Sequence, residues 1–360
     1  MITTPDGVEV VQRAADAAGL PHPPLLVLDA VADFLDRHRL GSGPLAWRRI
    51  GDGQSNVTYL VCRGDEQFVL RRGPRPPLPR SAHNMVREAR IQELVAREGI
   101  PVPRILAVCE DDAVLGVPFY VMEALDGDVV TDTLPAALDA APERAAIGEV
   151  VVDTLVQLHA VDVGTGELSS FGRPDGYLDR QVATFAGLWE VNSRRHLPLV
   201  NEVGQWLRRY RPDSQRAAIV HGDFRLGNLM LRRGAPAQVL AVLDWEMATL
   251  GDPLADLGYL TATWSEPGAT STPLHLSPVT GGPGFASTVD LCERYAAASD
   301  LDLTPLPWYQ TLALWKAAIF CEAMYTRWLD GQRPGDQFAP ALETGVPQLL
   351  EQAVRHTENG

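Results

Sequence analysis

Residues 221–228 read His221-Gly222-Asp223-Phe224-Arg225-Leu226-Gly227-Asn228, and sixteen residues after Asn228 stands Asp244, in Leu243-Asp244-Trp245-Glu246. Val239, Leu240, Val242 and Leu243 lead into that second segment, an apolar run short enough for a strand. An Asp, an Asn five residues on, and a second Asp at the end of a short apolar strand have the spacing of a phosphoryl-transfer site. In such a site the first Asp orients and deprotonates a hydroxyl. The Asn and the second Asp offer hard oxygen ligands to Mg²⁺. The transferred phosphoryl spreads negative charge over its oxygens, so positioning and cationic neutralisation matter more than a covalent nucleophile. Spacing, leading strand and neighbours agree on this reading for Asp223, Asn228 and Asp244, against a reading as ordinary loop carboxylates.

The segment 221–228 resembles the HGDxxxxN catalytic loop of the aminoglycoside phosphotransferase family, a branch of the protein-kinase-like fold. Asp244-Trp245-Glu246 resembles that family's counterpart of the kinase DFG segment, and Gly251-Asp252-Pro253-Leu254-Ala255-Asp256-Leu257 the stretch that follows it. The resemblance covers about residues 45–330. Residues 51–60 (Gly-Asp-Gly-Gln-Ser-Asn-Val-Thr-Tyr-Leu) and 315–319 (Trp-Lys-Ala-Ala-Ile) look most like the subgroup whose kinase-like domain is sometimes fused to acyl-CoA dehydrogenases. The resemblance implies an α+β, two-lobed fold, with a small antiparallel-sheet lobe at 1–124 and a mainly helical lobe at 125–360. It implies ATP and Mg²⁺ as cofactors and a small hydroxylated molecule as acceptor, an amino sugar or a hydroxyacyl metabolite.

Composition sets the bounds. The 360 residues suffice for two lobes, and 46% hydrophobic with 21% charged residues is ordinary for a globular protein. A formal net charge of −15 argues against a nucleic-acid partner, which calls for a basic footprint, and against attachment to anionic lipid. Cys62, Cys109, Cys292 and Cys321 are scattered, with no CxxC or Cys/His cluster, so neither a zinc site nor a disulfide framework is signalled. The amino terminus lacks the basic and apolar regions of a signal peptide, and no apolar run approaches a membrane span. The expectation is a cytoplasmic protein; the oligomeric state is left open.

Along the chain, 1–23 reads as a mixed leader broken by prolines, and 25–40 as a helix stopped at Gly41-Ser-Gly-Pro44. Residues 46–50, 57–63 and 67–71 read as strands, 85–99 as a helix, and 105–109 and 117–122 as strands, the order of a kinase-like amino-terminal lobe. Beyond Leu125 the pattern is helical, over 145–159, 181–210 with a break at Pro198, 289–298 and 308–329. Residues 265–284, rich in Pro, Gly, Ser and Thr, read as a surface loop.

Between the first two strands, Gly51, Gly53, Ser55 and Asn56 fit a loop over ATP phosphates, where small residues let backbone amides approach anionic oxygens. A plain hairpin turn would look the same in isolation. The third strand ends Leu70-Arg71-Arg72, where the kinase-like pattern has Lys paired with Glu on the next helix. Arg71 and Glu88 fill those places, with Arg72 or Glu93 as the alternatives if the register slips by one. Main-chain groups from Glu123 to Leu125 resemble the linker that reads the adenine edge. His221 and His159 are expected to be structural, as are Asp252 and Asp256, and Arg at the Lys position leaves open a nucleotide-binding regulator with weak turnover.

Overall fold

The structure, a computed structural model, describes residues 2–4, 7–51, 56–76, 84–269, 271–332 and 335–358. The chain divides into two compact units, Met1–Asp126 and Gly127–Gly360.

The first unit is built on a five-stranded antiparallel sheet. Its strands are Leu45–Ile50, Val57–Arg63, Glu66–Arg72, Ile105–Cys109 and Phe119–Glu123, with the last lying between the third and the fourth. Strict alternation fixes the register: Val57, Tyr59 and Val61 are buried, and the residues between them face the other side of the sheet. The helix Met85–Arg97 begins where Asn84 accepts the Arg87 N–H at 2.9 Å, satisfying one of the orphan amides of its first turn. Met85 and Ala89 pack with Val69, Tyr120 and Met122 of the sheet.

The leader is more ordered than its sequence suggests. Ile2–Thr4, Gly7–Val11 and Leu26–Val27 form a small sheet, and the expected helix over 25–40 is shorter, Leu28–Arg37, because Leu26 and Val27 pair with Val10 and Val11. These strands extend the apolar core under the main sheet, around Val31, Phe34, Leu35 and Phe119. Glu9 ties them down, accepting from Tyr59 Oη at 3.0 Å and Arg49 Nη1 at 3.3 Å.

The second unit is mainly helical: Ala141–Ala160, Tyr177–Asn192, Pro198–Arg209, Leu254–Thr263, Thr288–Ala298, Leu306–Leu329 and Leu342–Glu358. The last carries no mark in the sequence reading, since Pro347 lies inside it. Leu306–Leu329 is its axis. Trp308 and Trp315 donate their indole N–H to the carbonyls of Leu207 and Val200, at 3.0 and 2.9 Å. Gly258 lets Leu254–Thr263 press against this axis; a Cβ there would stand 2.6 Å from that of Tyr309. Two short antiparallel ladders, Ala218–Val220 with Thr249–Gly251 and Leu229–Arg232 with Val239–Val242 and Gly127–Val129, bracket the segment 221–228. The described residues of 265–284 include turns and one 3₁₀ turn, Pro278–Gly281.

Sheet alternation sends Arg71 and Arg72 to opposite faces. Arg72 is fully buried, and it donates to the carbonyls of Leu25 (2.6 Å), Gly73 (2.8 Å) and Leu115 (3.1 Å). Burial lowers its pKa to about 10, which still leaves it cationic near neutrality. Arg72 is therefore the staple between the leader and the sheet. Arg72→Met should cost about 3 kcal/mol by urea denaturation, because carbonyls lose a charged donor while buried.

Candidate active site

The segment 221–228 hangs from one carboxylate. Asp256, at the start of Leu254–Thr263 and fully buried, accepts the His221 N–H at 2.7 Å and the Gly222 N–H at 2.8 Å. Its Oδ2 also stands 3.3 Å from His159 Nε2. The other His159 nitrogen is 2.8 Å from the Tyr295 hydroxyl, whose phenol burial holds protonated. A carboxylate only accepts, so the His159 Nε2 that faces Asp256 carries a proton. Asp252 is likewise consumed by structure. It accepts from Ser214 (2.6 Å), Tyr309 (2.8 Å) and the Leu254 N–H (3.0 Å) that opens the helix.

His221 has no capacity left for chemistry. Its Nε2 donates to the Leu243 carbonyl at 2.9 Å and its Nδ1 accepts the Asp223 N–H at 3.3 Å, while the ring packs 4.9 Å from that of Trp245. It joins the two segments singled out in the sequence. The Leu243 N–H donates to the Asn228 carbonyl at 2.8 Å, which makes a second joint.

Between these joints lie the candidate reacting groups. Asn228 Nδ2 donates to the Asp223 carbonyl (2.8 Å) and to Asp223 Oδ2 (2.7 Å). That use of both amide protons leaves Oδ1, a hard ligand atom, for a cation. Asp244 follows Leu243 directly, in the left-handed region at φ 64°, ψ 66°. Asp tolerates that region better than most residues, and such strain persists where the surroundings over-determine it. Among the described residues no group of three or more His, Cys, Asp or Glu side chains is placed to hold a metal. A site of one carboxylate and one amide oxygen fits Mg²⁺, which takes few protein ligands and fills its shell with water and phosphate oxygens.

Within the first unit, taken by itself, one cation is held in place. Arg71 Nε lies 2.9 Å from Glu88 Oε1, with the Arg side chain 14% and the Glu side chain 1% exposed. Tyr120 donates to the same Oε1 at 3.1 Å and accepts from Gln92 Nε2 at 3.0 Å. Burial and the neighbouring Glu88 raise the Tyr120 pKa well above its usual value, so its hydroxyl remains a donor. Glu93 is exposed and Arg72 is spent on the leader, which leaves Arg71 and Glu88 as the pair. Glu123 gives its N–H to the Arg104 carbonyl (3.0 Å), and its side chain accepts the Arg104 N–H (2.8 Å). Its amide is thus committed, and Leu125, half-buried beside it, is the better placed of the two to offer an amide to a ligand. Gly51 is exposed at φ 73° and Asn56 is buried; Gly53 and Ser55 lie outside the described residues.

Three residues near Asp223 carried no role in the sequence reading. Arg225 Nε lies 3.6 Å from Asp223 Oδ1, and a position two residues after the Asp was a signal that could have been used. Tyr259 faces the same carboxylate; burial and then the Asp223 charge push its pKa well above the usual phenol range. Lys316 lines one small cavity with Tyr259, Gly222 and Asp256. These last two come from helices distant in sequence, and no local spacing announces them.

The phosphotransferase enzyme family model matches residues 46–273, well over half of the chain, and the chain belongs to that family. Among curated relatives it is 32% identical over 336 residues to acyl-CoA dehydrogenase family member 11 of Gallus gallus, covering 89% of this chain and 43% of that protein. It is 41% identical over 218 residues to acyl-CoA dehydrogenase family member 10 of Mus musculus, covering 61% of this chain and 20% of that one. The chain thus spans less than half the length of these relatives. A crystal structure from Ralstonia eutropha, assigned as an aminoglycoside phosphotransferase, superposes with a TM-score of 0.76 at 27% identity, over 92% of this chain and 98% of the other. The fold is therefore the protein-kinase-like fold of these phosphotransferases, and the subgroup related to acyl-CoA dehydrogenase fusions is the one the sequence pointed to. No helix among the described residues is long and apolar enough to cross a membrane.

Gly222 stands at φ 86°, and a Cβ there would meet Met247 Cβ at 2.9 Å and its carbonyl at 3.0 Å. Gly222→Ala should destabilise the loop by about 1–3 kcal/mol and lower turnover, with hydrogen exchange at 221–223 speeding up relative to the rest of the second unit.

Proposed function

We propose that the protein transfers the γ-phosphoryl group of ATP to a hydroxyl of a small molecule, with Asp223 as the base. The observation that carries this reading is the constrained Asp223–Asn228–Asp244 set, anchored through Asp256 and His221. Asp223 Oδ1 or Oδ2 orients the acceptor hydroxyl and takes its proton as the oxygen–phosphorus bond forms and the bond to the ADP oxygen breaks. Asn228 Oδ1 and the Asp244 carboxylate would hold Mg²⁺, which neutralises phosphate charge when bound. Arg225, beside Asp223, offers a further cation to the transferring group. In the first unit Arg71, fixed by Glu88, would bind nucleotide phosphate oxygens through its forked donors.

The acceptor is an amino sugar or a hydroxyacyl compound. A relative of 26% identity, from Streptomyces fradiae, is an aminoglycoside 3'-phosphotransferase, whereas the relatives matched over most of this chain are acyl-CoA dehydrogenase family proteins. The second set favours a hydroxyacyl metabolite.

Asp223→Asn should keep nucleotide binding and cut turnover by roughly 10²-fold or more. Unchanged turnover in a coupled ADP-release assay would remove Asp223 from the mechanism. By calorimetry, Asp244→Ala should abolish the Mg²⁺-dependent part of ATP binding.

Arg71→Ala should weaken ATP binding and slow transfer, while Arg71→Lys keeps much of both, since charge matters before fork geometry. ATP binding without turnover across aminoglycosides, macrolides, choline-like alcohols and hydroxyacyl thioesters would favour a nucleotide-binding regulator instead.

A further inference from the structure

Lys316 is the sole lysine of the chain; the other thirty of its 31 basic residues are arginine. It lies in Leu306–Leu329, within the helical unit and close to the Asp223 loop. Its ammonium donates to Gln181 Oε1 at 2.8 Å and sits 4.7 Å from the centre of the Phe185 ring, both on Tyr177–Asn192. Among the described residues no carboxylate lies within ion-pair distance of it. Asp256 and Asp223 act on it only at longer range, and burial lowers its pKa to about 8.

A half-buried ammonium with one neutral hydrogen-bond acceptor has donors to spare, since it carries three. If its task were only to balance the Asp256 and Asp223 charges, an arginine would serve without the risk of losing its proton. The compact ammonium instead suits a place where one oxygen of a ligand must approach closely. The neighbouring cavity, bounded by Lys316, Tyr259, Gly222 and Asp256, holds about 20 Å³, room for one water. That is room for a single oxygen atom beside Lys316, whether of a water or of the end of a ligand, and not for a side chain. The aromatic ring beneath Lys316 holds a cation without neutralising it.

We propose that Lys316 anchors the acceptor, its ammonium binding a carboxylate or acyl carbonyl oxygen close to the hydroxyl presented to Asp223. Resting on the phosphoryl-transfer reading, this selects hydroxyacyl compounds over polycationic amino sugars, whose ammonium groups the lysine repels. Lys316 is thus a specificity-determining residue for the acceptor and has no part in binding the nucleotide.

The single lysine makes a direct test possible. In protein grown with [¹³Cε]lysine, one cross-peak reports Lys316. It should shift saturably on addition of 3-hydroxybutyrate or its N-acetylcysteamine thioester. It should not shift with butane-1,3-diol, which lacks the carbonyl, or with kanamycin. Lys316→Met should weaken calorimetric binding of the shifting probe about tenfold or more, the scale of one charged hydrogen bond, and leave Mg²⁺–ATP affinity unchanged. No shift with either acyl probe, or an equal shift with the diol, overturns the proposal even if the variant does not fold. A folded Lys316→Met variant with unchanged acyl-probe affinity and a lower kcat also overturns it, by showing that Lys316 acts through Asp223. These readouts are of binding, so absent phosphoryl transfer alongside a shifted peak would defeat the transfer reading and leave the anchor standing.

Discussion

The geometry of segment 221–228 depends on the Asp256 carboxylate. A fully buried carboxylate is expensive unless its lone pairs are filled. Here they are filled by two consecutive backbone amides, those of His221 and Gly222, and by the imidazole of His159. The charge therefore does two things at once. It fastens the loop to Leu254–Thr263, and it brings the Ala141–Ala160 helix, through His159, to the same point. With the start of the loop fixed, the His221 ring can reach the Leu243 carbonyl and hold the Asp244 segment in register with Asp223. Site geometry is thus set before any ligand arrives, as electrostatic preorganisation requires.

The local strain follows from the same anchor. Gly222 takes a left-handed conformation hard against Met247, and Asp244 takes one without being glycine. Neither would persist in an isolated loop. They persist because Trp245 is fully buried, with its indole bound to the Val242 carbonyl at 3.0 Å, and because the flanking ladders leave the chain no other route.

In the first unit the governing constraint is the two-residue period of a strand. It separates two adjacent arginines into different tasks. Arg72 is sealed among main-chain carbonyls, a structural use of a guanidinium that needs no counter-ion. Arg71, on the other face, is held by Glu88, which Tyr120 and Gln92 hold in turn. A chain of buried hydrogen bonds of this kind restricts the rotamers of an otherwise flexible cation, so less ordering remains to be done when an anion binds.

The sequence by itself determined what depends on short spacing. The Asp223-to-Asn228 interval, the apolar run into Asp244, the alternation in Val57–Arg63 and the helical stripe of Met85–Arg97 are all local, and local geometry follows from them. The order of strands and helix in the first unit was legible for that reason. The leader strands were not, because Gly7–Val11 and Leu26–Val27 are too short to show a period and exist only through pairing with each other. The sequence pattern puts Arg71 ahead of Arg72, and the tertiary structure shows that Arg71 is the one on the face that carries Glu88. The positions of Tyr259 and Lys316 beside Asp223 needed the tertiary structure. Asp223, Tyr259 and Lys316 lie on three segments far apart in the chain, and only packing of helices against the anchored loop makes them neighbours.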